Sequence, residues 1–409
     1  MIENSPTGQN MERTRNVVVA DVLSRHRVAC GIREIEGGAL RSRPGKRILV
    51  AAGALCPGSV AKVVFDIVAG LSDYYFHIWV EPGKERFSLH AARRCLADFG
   101  PETPSNFEIV SSRDRIRMLA PEIRATFLNL FTSDSWFMPF SLERGIPIVT
   151  FSHSVCYFEE FPFSSNPLAP KVAWQRRAYI LADKIVCWSN IERQLISRFL
   201  PIVSEKIKVV PLCQKLPKVV PVGRTRPSKG DLRVLFAGRP LAKRKGFEYL
   251  VNALRELAAK GCDVELTVAD AFTNAARLAQ FRFSEALRGI EVRWLSDLER
   301  KEMRRAYRHA HVVVAPSLYD SWCKVVTEAI AEATPVITTD AAGVTEYFPC
   351  DEIPRVKAGD SKEIAIAIEH LLSDYESHLN ASEKARERLK AEFTLEKQSS
   401  RLRKALGLE

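Results

Sequence analysis

Long apolar runs are what this 409-residue chain most plainly lacks. No stretch of eighteen or more apolar residues occurs, so no membrane-spanning helix is written in it. The opening residues, MIENSPTGQNMERTRN, are polar and of mixed charge. They have no apolar centre of a secretory signal, so secretion is not expected. Paired cysteines are missing too. The nine cysteines are scattered and odd in number, with no C-x-x-C. That argues against a disulfide framework or a zinc site and fits a reducing cytoplasm. No Walker P-loop, G-x-S-x-G or H-E-x-x-H is present, and no D-x-D stands in a strand context. No repeat recurs at a solenoid period. The net charge is +11. Nucleic acid, an anionic membrane face or an anionic substrate would each answer to it, and so would a plain solvated basic face. No zinc finger, RNA-recognition signature or basic-aromatic motif accompanies the charge, which leaves nucleic acid the weakest of these.

What is present is alternation. From Arg47 onward, short apolar segments (RILVAA, YYFHIWV, NFEIVSS, TFLNLFTS, PIVTFS, KIVCWS) read as strands. Amphipathic stretches such as VAKVVFDIVAGL and ERFSLHAARRCLADF separate them. Strands alternating with helices at crossover spacing predict an α/β chain with parallel sheets. The length predicts two domains. Residues 1–46 form an extension that fits neither pattern. Residues 47–217 are the first doubly wound domain. The Pro-, Gly- and base-rich segment 218–230 is the linker. A second series from LRVLFAG gives the second domain, 231–380, and an amphipathic helical segment occupies 381–409. A ligand is expected in the cleft between the domains.

Three places could carry chemistry. In APSLYDSWCKVVTEAIAEATPVITTDAAGVTE, residues 315–346, Asp320 and Glu328 lie eight residues apart between two apolar strands. With residues 321–333 helical, that spacing spans about 12 Å. The free amides of Ser321, Trp322, Cys323 and Lys324 would then face an anion, favoured by the helix dipole. In FAGRPLAKRKGFEYL, residues 236–250, a strand ends at Gly238 and a loop carrying Arg239, Lys243, Arg244 and Lys245 precedes a helix. PIVTFSHS places His153 just past a strand, at the edge where open α/β sheets bind ligands. The bland readings are a helix-capping Asp320, a solvated Glu328, a basic surface loop and a structural histidine.

The 315–346 segment resembles the E-x7-E segment of the retaining, metal-independent glycosyltransferases of the GT-B fold, the family-4 group. Pro316, Ser317, Pro335, Val336 and Gly343 also match. The resemblance implies two Rossmann-like domains facing across a cleft, with the final helix crossing back to the first. It implies transfer of a sugar, of hexosyltransferase type, from a UDP-, GDP- or ADP-sugar to a glycan or lipid-linked acceptor, with no cofactor or metal required. By the same resemblance Arg239 and Lys245 hold the nucleotide diphosphate, Glu328 the ribose, and Asp320 the donor sugar. His153 would face the reacting centre, and Gly58 and Ser59 would lie near the donor. Asp134 and Ser135 would face the acceptor. Most bacterial relatives serve surface polysaccharide or lipopolysaccharide synthesis, which implies a cytoplasmic protein at the inner membrane face; the basic first half agrees with contact to anionic lipid. Two departures stand out. Asp320 replaces the family's Glu, and Ser321-Trp322-Cys323 replaces Gly-Phe-Gly, which removes both glycines from a close backbone approach. A nucleotide-sugar epimerase of the same fold, or a non-catalytic sugar-nucleotide or glycan-binding protein, remains the alternative.

Overall fold

The computed structural model describes residues 46–53, 55, 59–97, 99, 103–129, 136–153, 170–217, 227, 231–270 and 273–408. Gly58, Asp134 and Ser135, the extension before residue 46 and nearly all of the 218–230 linker lie outside them.

Two parallel sheets organise the chain. The first has strands β1 (Arg47–Gly53), β2 (Tyr75–Val80), β3 (Phe107–Val110), β4 (Ile123–Asn129), β5 (Ile148–Phe151), β6 (Lys184–Cys187) and β7 (Ile207–Val209). Their order is β3-β2-β1-β4-β5-β6-β7. Helices α1 (Ser59–Gly70), α2 (Glu85–Leu96), α3 (Arg113–Leu119), α4 (Phe137–Glu143), α5 (Pro170–Leu181) and α6 (Asn190–Phe199) connect them. The second sheet has β8 (Leu232–Ala237), β9 (Val264–Asp270), β10 (Glu291–Ser296), β11 (Val312–Ala315), β12 (Val336–Thr339) and β13 (Arg355–Val356). It runs β10-β9-β8-β11-β12-β13. Its helices are α7 (Phe247–Ala259), α8 (Thr273–Phe283), α9 (Arg300–His309), α10 (Lys324–Ala331) and α11 (Ser361–Ser373). After them come α12 (Tyr375–Glu392) and α13 (Leu395–Leu406).

Strands β11 and β12 are buried at every residue. That is why they read as continuous apolar runs: helices cover both faces of a parallel sheet. Strand order reverses between β1 and β4 in one sheet and between β8 and β11 in the other. At such a reversal neighbouring crossovers go to opposite faces and leave a crevice at the strands' carboxyl ends. The loops at 238–246 and 316–323 flank the second crevice.

The chain closes on itself through its last helix. Past Phe393, α13 packs on α1, and Ser399 sits where any side chain on Gly70 would have to go. Arg403 pairs with Asp73 at the end of the same layer. Phe393 stacks on Phe348 and touches Trp322 and Tyr347, while its carbonyl accepts from the Gln214 amide. The passage out of the first domain and the passage back to it are thereby laced together beneath the 320–323 loop.

Candidate functional site

The basic loop and the acidic pair meet. Lys243–Lys245 form a single tight turn ending at Gly246, whose φ is 64°. A Cβ at Gly246 would overlap the Pro316 carbonyl, so glycine lets the two crevice loops touch. Leu318 donates its amide to the Arg244 carbonyl at 2.7 Å, which fixes their register. The result sets the Lys245 ammonium directly on the Asp320 carboxylate, with the Arg244 guanidinium 3.7 Å away. Asp320 is buried, which by itself would raise its pKa; Lys245 and Arg244 outweigh that and bring it down to about 2. Arg239 is placed apart from this group, exposed just past β8 and after Gly238. The Gly238 amide pairs with the Ala269 carbonyl at the end of β9.

The expected helix from 321 starts three residues later, at Lys324. The reason is Asp320 itself. Its Oδ1 accepts from the Cys323 amide at 2.9 Å and more weakly from Trp322 at 3.4 Å, folding 320–323 into a turn. Two of the four amides expected to face an anion are therefore occupied. Cys323 closes the turn in the left-handed region, with φ of 70°. It stands where the resembling family has its second glycine, so the departure in sequence leaves the backbone shape and adds strain. The Trp322 indole is buried against Tyr347 and Phe393. Ser321 donates from Oγ to the His153 carbonyl at 2.6 Å.

Glu328 lies one turn into α10, half-buried, and accepts from the Tyr307 hydroxyl at 2.9 Å. His153 follows β5 and packs its ring 5.5 Å from that of Trp188. Burial and then the nearby Lys324 push its pKa down to about 3, so the imidazole is neutral at physiological pH. Ser59 is the first residue of α1. The structure thus gathers Asp320, Lys245, Ser321, His153, Lys324 and Glu328 along one interdomain cleft and leaves Arg239 apart from them.

Sequence reasoning named His153 and Ser59 from the first domain but missed other residues on that side of the cleft. Lys62 and Asp66, one turn apart on α1, are both buried beside Lys324. They are 262 and 258 residues from Lys324, and an Ala-Lys-Val-Val-Phe-Asp helix carries no signal of its own. Ser189 and Glu346 were also missed. Ser189 donates from Oγ to the Ser321 carbonyl at 2.8 Å, and the Glu346 carboxylate accepts from the first amides of α6. Among the described residues no group of three or more His, Cys, Asp or Glu gathers to hold a metal ion, and no helix is long and apolar enough to cross a membrane.

Two facing parallel-sheet domains with the cleft at their switch points define a GT-B fold. Solved structures agree. A sucrose-phosphate synthase from Thermosynechococcus elongatus superposes with a TM-score of 0.69 at 18% identity, over 89% of this chain and 98% of that one. The Anabaena protein HepE, solved with UDP-glucose, does so at 0.68 and 15%, over 89% and 100%. Residues 223–388, in the second domain, match the family described as glycosyl transferases group 1. An uncharacterized glycosyltransferase of Methanocaldococcus jannaschii is 30% identical over 146 residues, 35% of this chain and 36% of that protein. The chain thus spans little more than a third of that curated relative.

Proposed function

We propose that the protein is a retaining glycosyltransferase that moves a sugar from a nucleotide-diphosphate sugar to a hydroxyl acceptor. The observation that carries this reading is the meeting of the Arg244–Lys245 turn, Asp320 and the head of α10, with Glu328 one turn further on, at the second sheet's switch point. In support, the family match covers all of these residues, and HepE, of the same fold, was solved with UDP-glucose.

In the reaction the bond from the sugar C1 to the β-phosphate oxygen breaks, and its electron pair stays on that oxygen. The acceptor oxygen bonds to C1 on the same face, and its proton passes to the departing phosphate. Charge builds on the diphosphate as the bond breaks, so fixed cations and a helix N-terminus facing it lower the barrier. In this reading the Lys324 and Val325 amides at the head of α10 take that task, and no metal ion enters the scheme. Glu328 accepts hydrogen bonds from the ribose. His153, neutral, hydrogen-bonds the sugar and contributes no charge. The donor is a UDP-, GDP- or ADP-sugar and the acceptor a glycan or lipid-linked glycan of a surface polysaccharide, reached at an anionic membrane face by the basic first domain.

Thermal shift across UDP-, GDP- and ADP-sugars tests the reading. One donor should stabilise the wild type and not Glu328→Ala. Stabilisation by none of the three would remove it. A second reading, a non-catalytic binder, is favoured by the Asp320 carboxylate being fully engaged by Lys245 and the Cys323 amide. Release of nucleoside diphosphate from the bound donor separates the two: a transferase releases it, if only by slow hydrolysis, and a binder does not.

A further inference from the structure

The cleft holds two cations that the proposed mechanism does not use. Lys62 on α1 of the first domain and Lys324, the first residue of α10 in the second, are each more than nine-tenths buried. Neither ammonium has a hydrogen-bond partner, and one oxygen of the neighbouring Asp66 carboxylate has none either. The nearest approach is 4.0 Å, from Lys324 to the other Asp66 oxygen. Buried charges are normally hydrogen-bonded as well as paired, so this is an unfinished arrangement. The charge count points the same way. Lys62, Lys324 and Arg300 face Asp66 and Glu328, which leaves one positive charge in excess. The strain is visible on Lys62: burial first, then Lys324 and Arg300, lower its pKa to about 8. Lys324 is also near enough to His153 to depress its protonation. By contrast, Lys245, the cation first assigned to the diphosphate, is occupied by Asp320.

We propose that Lys62 and Lys324 form a clamp across the domain interface that binds the β-phosphate of the nucleoside diphosphate and takes up its charge when the sugar departs. This inference rests on the transferase reading above and assigns the leaving group's charge to residues from both domains. An anion inserted between the two ammoniums supplies the missing hydrogen bonds and cancels the excess charge. It also ties α1 to α10, so the diphosphate itself holds the domains together. Lys62→Met and Lys324→Met each remove the excess charge, so neither should weaken the ligand-free fold.

Calorimetric titration of wild type, Lys62→Met, Lys324→Met and Glu328→Ala with UDP, GDP and ADP, each beside its monophosphate, tests the clamp. For the diphosphate that binds, each lysine variant should lose at least about tenfold in affinity, the worth of one charge-assisted hydrogen bond. Affinity for the matching monophosphate should hold within about twofold, and the ligand-free unfolding temperature should stay level or rise. Glu328→Ala should weaken diphosphate and monophosphate alike. Lysine variants that bind the diphosphate as wild type does, while Glu328→Ala does not, overturn the clamp and leave the transferase reading standing. Lysine variants that lose both nucleotides together with thermal stability assign the pair a structural role and also overturn it. A wild type that binds none of the nucleotides overturns both.

Discussion

Cys323 shows how a single residue can keep a backbone shape that its type resists. A left-handed conformation costs a residue bearing a Cβ about 1–2 kcal/mol, and glycine is exempt. Cys323 adopts it because its amide must reach Asp320 and its carbonyl must accept from Val326. Glycine and alanine here both remove the buried thiol, so the comparison between them isolates the backbone. Cys323→Gly should be more stable than Cys323→Ala by about 1 kcal/mol in chemical denaturation, the reverse of their order inside helices. Equal stability would mean that the turn relaxes out of the left-handed region. The thiol itself, pushed up to about 12 by burial and by Asp320, should be slow to react with alkylating agents at neutral pH. Lys62 makes a second residue-scale prediction. Its folded pKa of about 8 lies below the unfolded value, so between the two the unfolded chain binds more protons. The linked stability is therefore missing below about pH 8 and returns as pH rises toward 10. The difference between wild type and Lys62→Met should change by roughly 2–3 kcal/mol across that window, and a pH-independent difference would show that Lys62 is solvated.

At the scale of elements, the strands were legible and the site loops only partly so. β11 and β12 announce themselves because every residue is buried. β13 has two residues, Arg355 and Val356, too few for any pattern. The α10 start was misjudged because a left-handed cysteine leaves no mark of the kind glycine leaves. The Asp320–Glu328 spacing survives within a mixed turn and helix, and Lys245 reaches Asp320 although 75 residues separate them. That contact was not legible: the resemblance gave Lys245 to the diphosphate and Asp320 to the donor sugar, and nothing local to either segment says which cation meets which acid. Lys62 and Asp66 were illegible for the same reason, with no resemblance to help. The element on which the meeting depends is the Gly246 turn. Gly246→Ala places a Cβ on the Pro316 carbonyl and asks alanine to hold φ of 64°. A cost of roughly 3 kcal/mol or more is expected, read as a fall in the unfolding midpoint, because rigid backbone lies on both sides. A neutral substitution would mean that the two loops do not touch in solution.

Across the whole molecule, the two domains are held at opposite rims of the cleft by contacts of unequal worth. At one rim Arg94 reaches Asp297 and the Leu298 carbonyl. Asp297 is largely exposed, and an exposed pair of this kind contributes about 1 kcal/mol at most. At the other rim Glu346 of the second domain caps α6 of the first, adding a carboxylate to a helix N-terminus already capped by Ser189. Helix caps and the helix dipole make such a contact worth about 1–2 kcal/mol. Ser189 and Ser321 continue this rim to His153 through two further hydrogen bonds. Opening the cleft for a donor must break this rim, so its strength sets the open population. Glu346→Ala should raise that population about fivefold or more and enlarge the radius of gyration of the ligand-free protein in small-angle scattering. Arg94→Ala should leave the radius nearly unchanged, and the double variant should resemble Glu346→Ala alone. A nucleotide that binds both domains should restore the compact form in all of them, because it replaces the lost rim contact with its own. If the double variant scatters like wild type, the rims do not govern closure. The aromatic packing of Trp322, Tyr347 and Phe393 beneath the site loop would then be what holds the domains in register.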